Sequence, residues 1–427
     1  MELNQIHQLF LECSVASTDT RHIQQNSLFF ALKGPNFNGN SFVHQALESG
    51  AKYAVIDEVV HPTDKRFILV DDVLETLQDL ARFHRDYLGL PIIALTGSNG
   101  KTTTKELIHA VLKPHFKTVA TVGNLNNHIG VPLTLLSMTA ETEIGIVEMG
   151  ANHAKEIATL CEIAKPNMGY ITNFGKAHLE GFGSEENIVK AKSELYDYLK
   201  SNSGLIILNS DDAKQVAQVG DYDTVYTFSE TSETSVNVKL IATQPFLSVA
   251  LKNSTIKTHL VGAYNFNNSA AALTIGAYYN LTLLQLKEGI ESYVPTNNRS
   301  QIIQQHSNEI LLDAYNANPS SMEVALDNFK SIQNQHKLAI LGDMFELGST
   351  SAKEHLEVVN QAILTKDCNF YFVGSHFFEE KKVHPRLLFF ETFQDLQLHL
   401  EESTISNTSV LIKGSRGMAL ERVLELI

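Results

Sequence analysis

A chain of 427 residues, 43% apolar and 19% charged, exceeds one ordinary domain and holds material for several packed cores. Its net charge of −15, without any Lys/Arg block, argues against nucleic acid or an anionic membrane as partner. Cys13, Cys161 and Cys368 are too sparse for a disulfide framework or zinc site, the N-terminus lacks a signal-peptide pattern, and no stretch approaches the ~20 apolar residues of a membrane span, so a soluble cytoplasmic protein is expected.

In chain order, residues 1–86 mix short strands (27–32 and 51–56) with helices, and an amphipathic helix near 73–87 closes the block. From 87 to 295 strands alternate with helices: the run Pro91–Thr96, then 145–148, 167–173 and 204–209. That order predicts a mostly parallel sheet wrapped by helices. Residues 221–262 read instead as short antiparallel strands. After 296, four apolar runs at 310–313, 338–343, 370–374 and 410–414, separated by helical segments, predict a second doubly wound unit. The expected fold is therefore α/β with three domains: a small N-terminal one (1–86), a central phosphate-loop domain (87–295) and a Rossmann-like C-terminal one (296–427).

Gly97-Ser98-Asn99-Gly100-Lys101-Thr102-Thr103-Thr104 stands between the apolar run 91–96 and a helical segment over 105–113. Strand, glycine loop, lysine, hydroxyl and helix together form a nucleoside triphosphate site. Backbone N–H groups cradle phosphate oxygens, Lys101 meets the β/γ charge, and Thr102 can ligate Mg²⁺. A glycine usual two residues before Gly97 is replaced by Leu95, so the loop is a shortened variant.

Glu148 ends the next strand, where ligands of open α/β sheets sit, and reads either as a Mg²⁺ carboxylate or as a cap of the following helix. His178 follows a further strand, in the loop 173–183, and is open between a ligand role and a surface or core role. Ser184 reads as an N-cap, after which Ile188, Ala191, Leu195 and Leu199 form an apolar stripe with Lys192 on or beside it. A lysine held against apolar surface loses its proton more easily, but on pattern alone a snorkelling stem is the simpler reading. The amides of 265–268 before an alanine-rich helix, together with Arg299 and Asp313, are weaker candidates for nucleotide contact.

Taken together, these motifs resemble the Mur ligase family across nearly the whole chain. The resemblance rests on residues 19–21, 28–34 and 38–42 in the first block, on 96–104, 123–132, 148–152, 177–183 and 191–194 in the centre, and on 313–319, 341–348 and 413–417 in the last block. The last-block runs point to the member adding D-alanyl-D-alanine to UDP-N-acetylmuramoyl-tripeptide through an acyl phosphate. One departure is Asn298, where the family usually has glycine before Arg299.

The resemblance implies ATP contacts from Gly97, Ser98, Asn99, Gly100, Lys101, Thr102, Thr103, Asn268, Arg299 and Asp313. It implies two Mg²⁺ ions, one held by Thr102 and Glu148 and a second placed by Glu148 and His178, with Lys192 carbamylated by CO₂ into a further ligand. Lys101, Glu148, His178 and Lys192 would form the catalytic set, and a monomer is expected. Substrate contacts would come from Thr20, Arg21, Lys33, Asn40, Asn124, Asn127, Asn316, Asn318, Lys413 and Ser415. Another Mur-type ligase, folylpolyglutamate synthase, or a phosphate-loop NTPase switch without ligation are the rival readings.

Overall fold

All five residues of strand Ile92–Thr96 are buried, as expected for a parallel strand covered on both faces. Ile92 and Ala94 point into one apolar cluster, Ile93 and Leu95 into another, so this one strand divides two cores. The computed structural model describes residues 1–427. Around that strand runs a nine-stranded sheet, in the order 254–257, 248–251, 236–242, 225–229, 205–209, 168–171, 92–96, 144–148 and 118–120.

Seven of these strands pair in parallel, from Thr118–Ala120 to Val236–Ala242, and the last two add an antiparallel meander. The expectation of short antiparallel strands over 221–262 is thus corrected at Val225–Ser229, which runs parallel to Leu205–Asn209. Helix Ala213–Val219 supplies the crossover that a parallel return needs. The phosphate-loop helix spans Lys101–Leu112, starting before the expected 105, because left-handed Gly100 (φ +79°) closes the loop directly onto Lys101.

The first block is a parallel four-stranded sheet, Ala16–Ser17, Leu28–Phe30, Tyr53–Ile56 and Phe67–Leu69. Helix Val73–Leu88 begins at Asp72, whose carboxylate accepts from the Glu75 amide at 2.7 Å, and ends at left-handed Gly89. Its Leu77, Leu80 and Ala81 share one cluster with Leu28 and Phe30 on one side and with Ile92 and Ala94 on the other. A single apolar core therefore joins the first block to the central sheet.

The last block is a six-stranded sheet in the order 301–305, 308–313, 409–413, 337–342, 369–373 and 387–390. Two strands join the four expected runs: Gln301–Gln305, an antiparallel edge, and Leu387–Phe390, a parallel one. Gln301–Gln305 is half-buried and glutamine-rich, which hides it from an apolar-run reading. No helix is long and apolar enough to cross a membrane.

Candidate active site

Parallel register sets Glu148 opposite Leu95 and Ile171 opposite Thr96, so three neighbouring strands deliver their carboxyl ends to one edge. Gly97 (φ +141°) turns the chain there, and a Cβ on it would lie 2.0 Å from Thr172 Oγ1. A Cβ on Gly100 would meet Asn268 Oδ1 at 2.6 Å, so both positions require glycine. The adjacent strand's exit pins the loop: Asn99 N donates to Asn173 Oδ1, while Thr172 Oγ1 and Asn173 Nδ2 donate to the Asn99 carbonyl at 2.6 and 2.9 Å. Ser98 Oγ donates to the Gly175 carbonyl at 2.6 Å.

Lys101 Nζ curls back over this loop, donating to the Gly97 and Ser98 carbonyls at 2.7 and 3.2 Å. Burial holds its pKa below the ordinary lysine value, and the Glu148 charge pulls the other way. An ammonium resting on neutral carbonyls gains from the arrival of phosphate oxygens.

Glu148 is 1% exposed. Its amide donates to Thr121 Oγ1 at 3.0 Å, its Oε1 accepts from Asn126 Nδ2 at 2.8 Å, and its Oε2 is buried with no hydrogen-bond partner. A buried carboxylate oxygen left unpaired is costly unless a cation meets it. No group of three or more His, Cys, Asp or Glu side chains is arranged around a metal. Mg²⁺ needs none, because it takes one or two carboxylates with phosphate oxygens and water, and Glu148 with the nearby Thr102 hydroxyl fits that donor set.

His178 adopts φ +54° at the start of the short helix Leu179–Phe182. Its Nδ1 approaches Glu346 Oε2 to 2.5 Å across the boundary with the last block, at an angle outside hydrogen-bond geometry. The contact holds the Glu346 carboxyl below its ordinary value.

Lys192 lies on helix Glu185–Ser201, which Ser184 caps by accepting from the Asn187 amide at 3.2 Å. The residue is 1% exposed, its Nζ donates to the Ala151 carbonyl at 3.1 Å, and it sits 5.0 Å from the Phe182 ring centre. Burial first, and Lys101 second, lower its pKa to about 7.

These elements border a cleft of about 1100 Å³ lined mostly by polar residues. Its walls include Ser98, Asn99, Gly100, Lys101, Thr102, Thr103, Asn124, Asn127, Glu148, His178 and Asn268 from the centre, and Arg299, Asp313, Asn316, Asn318 and Lys413 from the last block. Gly97 and Lys192 do not line the cleft, and Lys192 reaches its wall through the Ala151 carbonyl. The Asn268 amide is committed to Thr104 Oγ1 and Asn265 Oδ1, stitching two helices together. Arg299 stacks on Tyr315, 3.6 Å from the ring centre, and its Nε is buried without a partner. Asn298 takes φ +56°, so it occupies the left-handed conformation a glycine would supply. Ser415 is 2% exposed and its Oγ accepts from the Phe345 amide at 2.8 Å, away from the cleft surface.

Thr20, Arg21, Lys33 and Asn40 do not line this cleft. Lys33 and Asn40 converge on Asp57, at 3.0 and 2.7 Å, while Arg21 pairs with Asp19 on the surface and Thr20 opens the same short turn. Asn126, Asn173, Tyr315 and Glu346 belong to the site, although sequence reasoning did not select them. Asn126, Tyr315 and Glu346 stand inside the motif runs above, and Asn173 in the loop that carries His178.

Known proteins resemble this chain along nearly its whole length. The family described as Mur ligase middle domain matches residues 95–276, the Mur ligase glutamate ligase domain matches 298–416, and the Mur ligase family catalytic domain matches 13–85. UDP-N-acetylmuramoyl-tripeptide–D-alanyl-D-alanine ligase of Bacillus subtilis is 35% identical, over 96% of this chain and 92% of its own. The Escherichia coli enzyme of the same name is 32% identical over 96% and 93%. A crystal structure of MurF from Acinetobacter baumannii superposes with a TM-score of 0.86 at 28% identity, covering 99% of this chain and 97% of that one. MurF from Thermotoga maritima in complex with ADP gives 0.85 at 26% identity, covering 98% and 97%. With its phosphate loop, its buried strand-end carboxylate and these matches along its length, the chain belongs to the Mur ligase family.

Proposed function

We propose that this protein is an ATP-dependent, ADP-forming ligase that joins D-alanyl-D-alanine to UDP-N-acetylmuramoyl-tripeptide in peptidoglycan precursor synthesis. The observation that carries the reading is the single cleft in which the phosphate loop, the unpartnered Glu148 oxygen and last-block residues such as Asn318 and Lys413 meet. Near full-length relatives of that name in several bacteria support it.

A carboxylate oxygen of the tripeptide attacks the γ-phosphorus of ATP, the bond to the ADP oxygen breaks, and an acyl phosphate forms. The amine of D-alanyl-D-alanine then attacks the acyl carbon, expels phosphate and loses a proton, leaving the new amide. The reactants are anionic, so charge neutralisation and positioning carry much of the rate enhancement. Lys101 binds the β- and γ-phosphate oxygens, with Gly97–Thr103 cradling them. Thr102 and Glu148 would hold one Mg²⁺, and Glu148 with His178 would help place a second. The metal would supply neutralisation of the phosphate charge.

Lys192 takes up CO₂ as a carbamate: its amine nitrogen bonds to the carbon, one C=O pair moves onto oxygen, and the nitrogen loses a proton. This requires a neutral amine, and a pKa near 7 in a buried position supports it. Asn268, Arg299 and Asp313 serve the nucleotide. Asn124, Asn127, Asn316, Asn318 and Lys413 position the peptides, Ser415 acts only from behind them by holding the Phe345 amide, and the first block, through Thr20, Arg21, Lys33 and Asn40, receives the UDP end. The three blocks are as divided above, at 86 and 295. A monomer is proposed as the working unit. A cytoplasmic location follows from the ATP and the UDP-linked substrate.

The test is Mg²⁺-dependent ADP release from purified protein given UDP-N-acetylmuramoyl-tripeptide with and without D-alanyl-D-alanine. Release that needs both, with a UDP-linked pentapeptide as product, is the expected result. Release that needs neither would make the protein a simple NTPase and overturn the proposal.

A further inference from the structure

Lys105 is a cation that the phosphate chemistry leaves unused. It stands on helix Lys101–Leu112, one turn after Lys101, and is only 1% exposed. Its Nζ donates to the Thr121 carbonyl at 2.6 Å and pairs with Glu106 at 2.5 Å. Burying an ammonium is expensive, and a leucine would serve an apolar helix face better. Glu106 is its chain neighbour and ties nothing distant to the helix. Thr121 belongs to a different element: it follows edge strand Thr118–Ala120 and is itself 1% exposed.

Two parts of the site depend on Thr121. Its Oγ1 accepts from the Glu148 amide at 3.0 Å, fixing the backbone of the carboxylate whose Oε2 is unpartnered. Its carbonyl, held by Lys105, is the last fixed point before the chain leaves the sheet edge, since Val122 is 74% exposed. Asn124, Asn126 and Asn127 follow in the cleft wall, and Asn126 returns to Glu148 at 2.8 Å.

We infer that Lys105 is a positioning residue that, through Thr121, sets both the backbone of Glu148 and the course of segment 122–128. Because Lys101 and Lys105 share one helix, the phosphate site and the wall carrying Asn124 and Asn127 move as one body. This inference rests on the ligase reading for its kinetic arm, and on geometry alone for its exchange arm.

The test uses the full chain and three variants, Lys105→Met, Thr121→Val and Thr121→Ser. In Lys105→Met, amide hydrogen exchange over 121–128 rises about tenfold or more, the change for one lost charge-assisted hydrogen bond, while exchange over 310–313 is unchanged. The Mg²⁺ concentration for half-maximal ligation rises about tenfold in Lys105→Met and Thr121→Val, and Thr121→Ser, which keeps the hydroxyl, behaves as wild type. KM for the UDP-linked substrate rises in Lys105→Met and not in Thr121→Val, which keeps the carbonyl. Wild-type exchange over 121–128 in a folded Lys105→Met, or exchange rising equally across all the sheets, overturns the inference. If Lys105→Met does not fold, a fourth variant, Lys105→Gln, is read for the same rise in exchange over 121–128 and wild-type exchange there overturns the inference, while equal Mg²⁺ dependence of Thr121→Val and Thr121→Ser overturns its Glu148 arm. Failure of the wild type to ligate at all counts against the ligase reading, and the exchange comparison still judges Lys105.

Discussion

Burial makes the amine of Lys192 chemically different from its neighbours on the same helix, since Lys190 is exposed and Lys200 partly so. With a pKa near 7, an appreciable fraction is neutral at ordinary pH, whereas a solvated lysine is almost wholly charged. Lys192→Ala is expected to lose about a hundredfold or more of the ligation rate, with partial rescue by short carboxylic acids if a carboxylate ligand is what it supplies. Wild-type turnover in that variant, measured as ADP release, removes Lys192 from the mechanism. In the wild type at fixed dissolved CO₂, activity should rise with pH through about 7 as the neutral amine increases.

Between elements, register decides which charges meet. Asp313 and Lys413 are opposed at the ends of two parallel strands, with Nζ 2.6 Å from Oδ2, and Lys413 is 2% exposed while Asp313 opens onto the cleft. Asp313→Ala leaves the buried ammonium with only the Asn316 carbonyl, at 3.3 Å, and is expected to cost about 3 kcal/mol, whereas Lys413→Met leaves a carboxylate that water can reach and costs about 1 kcal/mol. Denaturant midpoints of the two variants give the comparison, and equal losses would contradict it.

A second seam joins helix Leu3–Leu11 to helix Val73–Leu88, where His7 Nε2 lies 3.0 Å from His84 Nδ1 and His84 Nε2 lies 2.9 Å from the Met138 carbonyl. Burial first, and His84 second, lower the His7 pKa from 6.5 to about 4. The unfolded chain then binds the extra proton, so this stability is complete above 6.5 and is lost as pH falls towards 4. His7→Phe should flatten the decline of Tm across that window, and an unchanged slope would assign the decline elsewhere.

At the scale of the molecule, the centre and the last block meet through scattered polar contacts, Tyr264 with Ser300 and Gln244 with Ser331 among them, and through Val261, which joins the last block's apolar cluster. Asn318 Nδ2 donates to Asn99 Oδ1 at 2.7 Å, the Lys176 amide to Ser320 Oγ at 2.8 Å, and the Glu180 amide to the Glu346 carbonyl at 3.1 Å, beside the His178–Glu346 approach. Separation of the last block from the centre would break the partly exposed His178–Glu346 pair, worth about 1 kcal/mol, or about fivefold in that equilibrium. Glu346→Gln is expected to lower kcat/KM for D-alanyl-D-alanine about fivefold and to enlarge the radius of gyration in solution scattering. An unchanged radius with lowered kcat/KM would place the effect at the site rather than in closure.

What the sequence determined by itself is what short-range spacing encodes. A strand, a glycine loop and a helix within 91–113 specify a phosphate site, and alternating apolar runs specify an α/β fold of parallel sheets. The family was legible from motif runs spread along the whole chain, since each run keeps its own local chemistry. Pairings between distant residues were not legible. Glu148 with Asn126, His178 with Glu346 and Lys105 with Thr121 arise only when strands take their register, and nothing in the spacing of one predicts the other. The half-buried Gln301–Gln305 strand and the parallel return at Val225–Ser229 were likewise decided by neighbours, because an edge or a crossover is a property of the sheet rather than of the segment. Burial follows the same rule: Lys192 stands beside an apolar stripe in sequence, but only its burial in the folded chain, with the charge of Lys101 nearby, gives its amine a reason to be neutral.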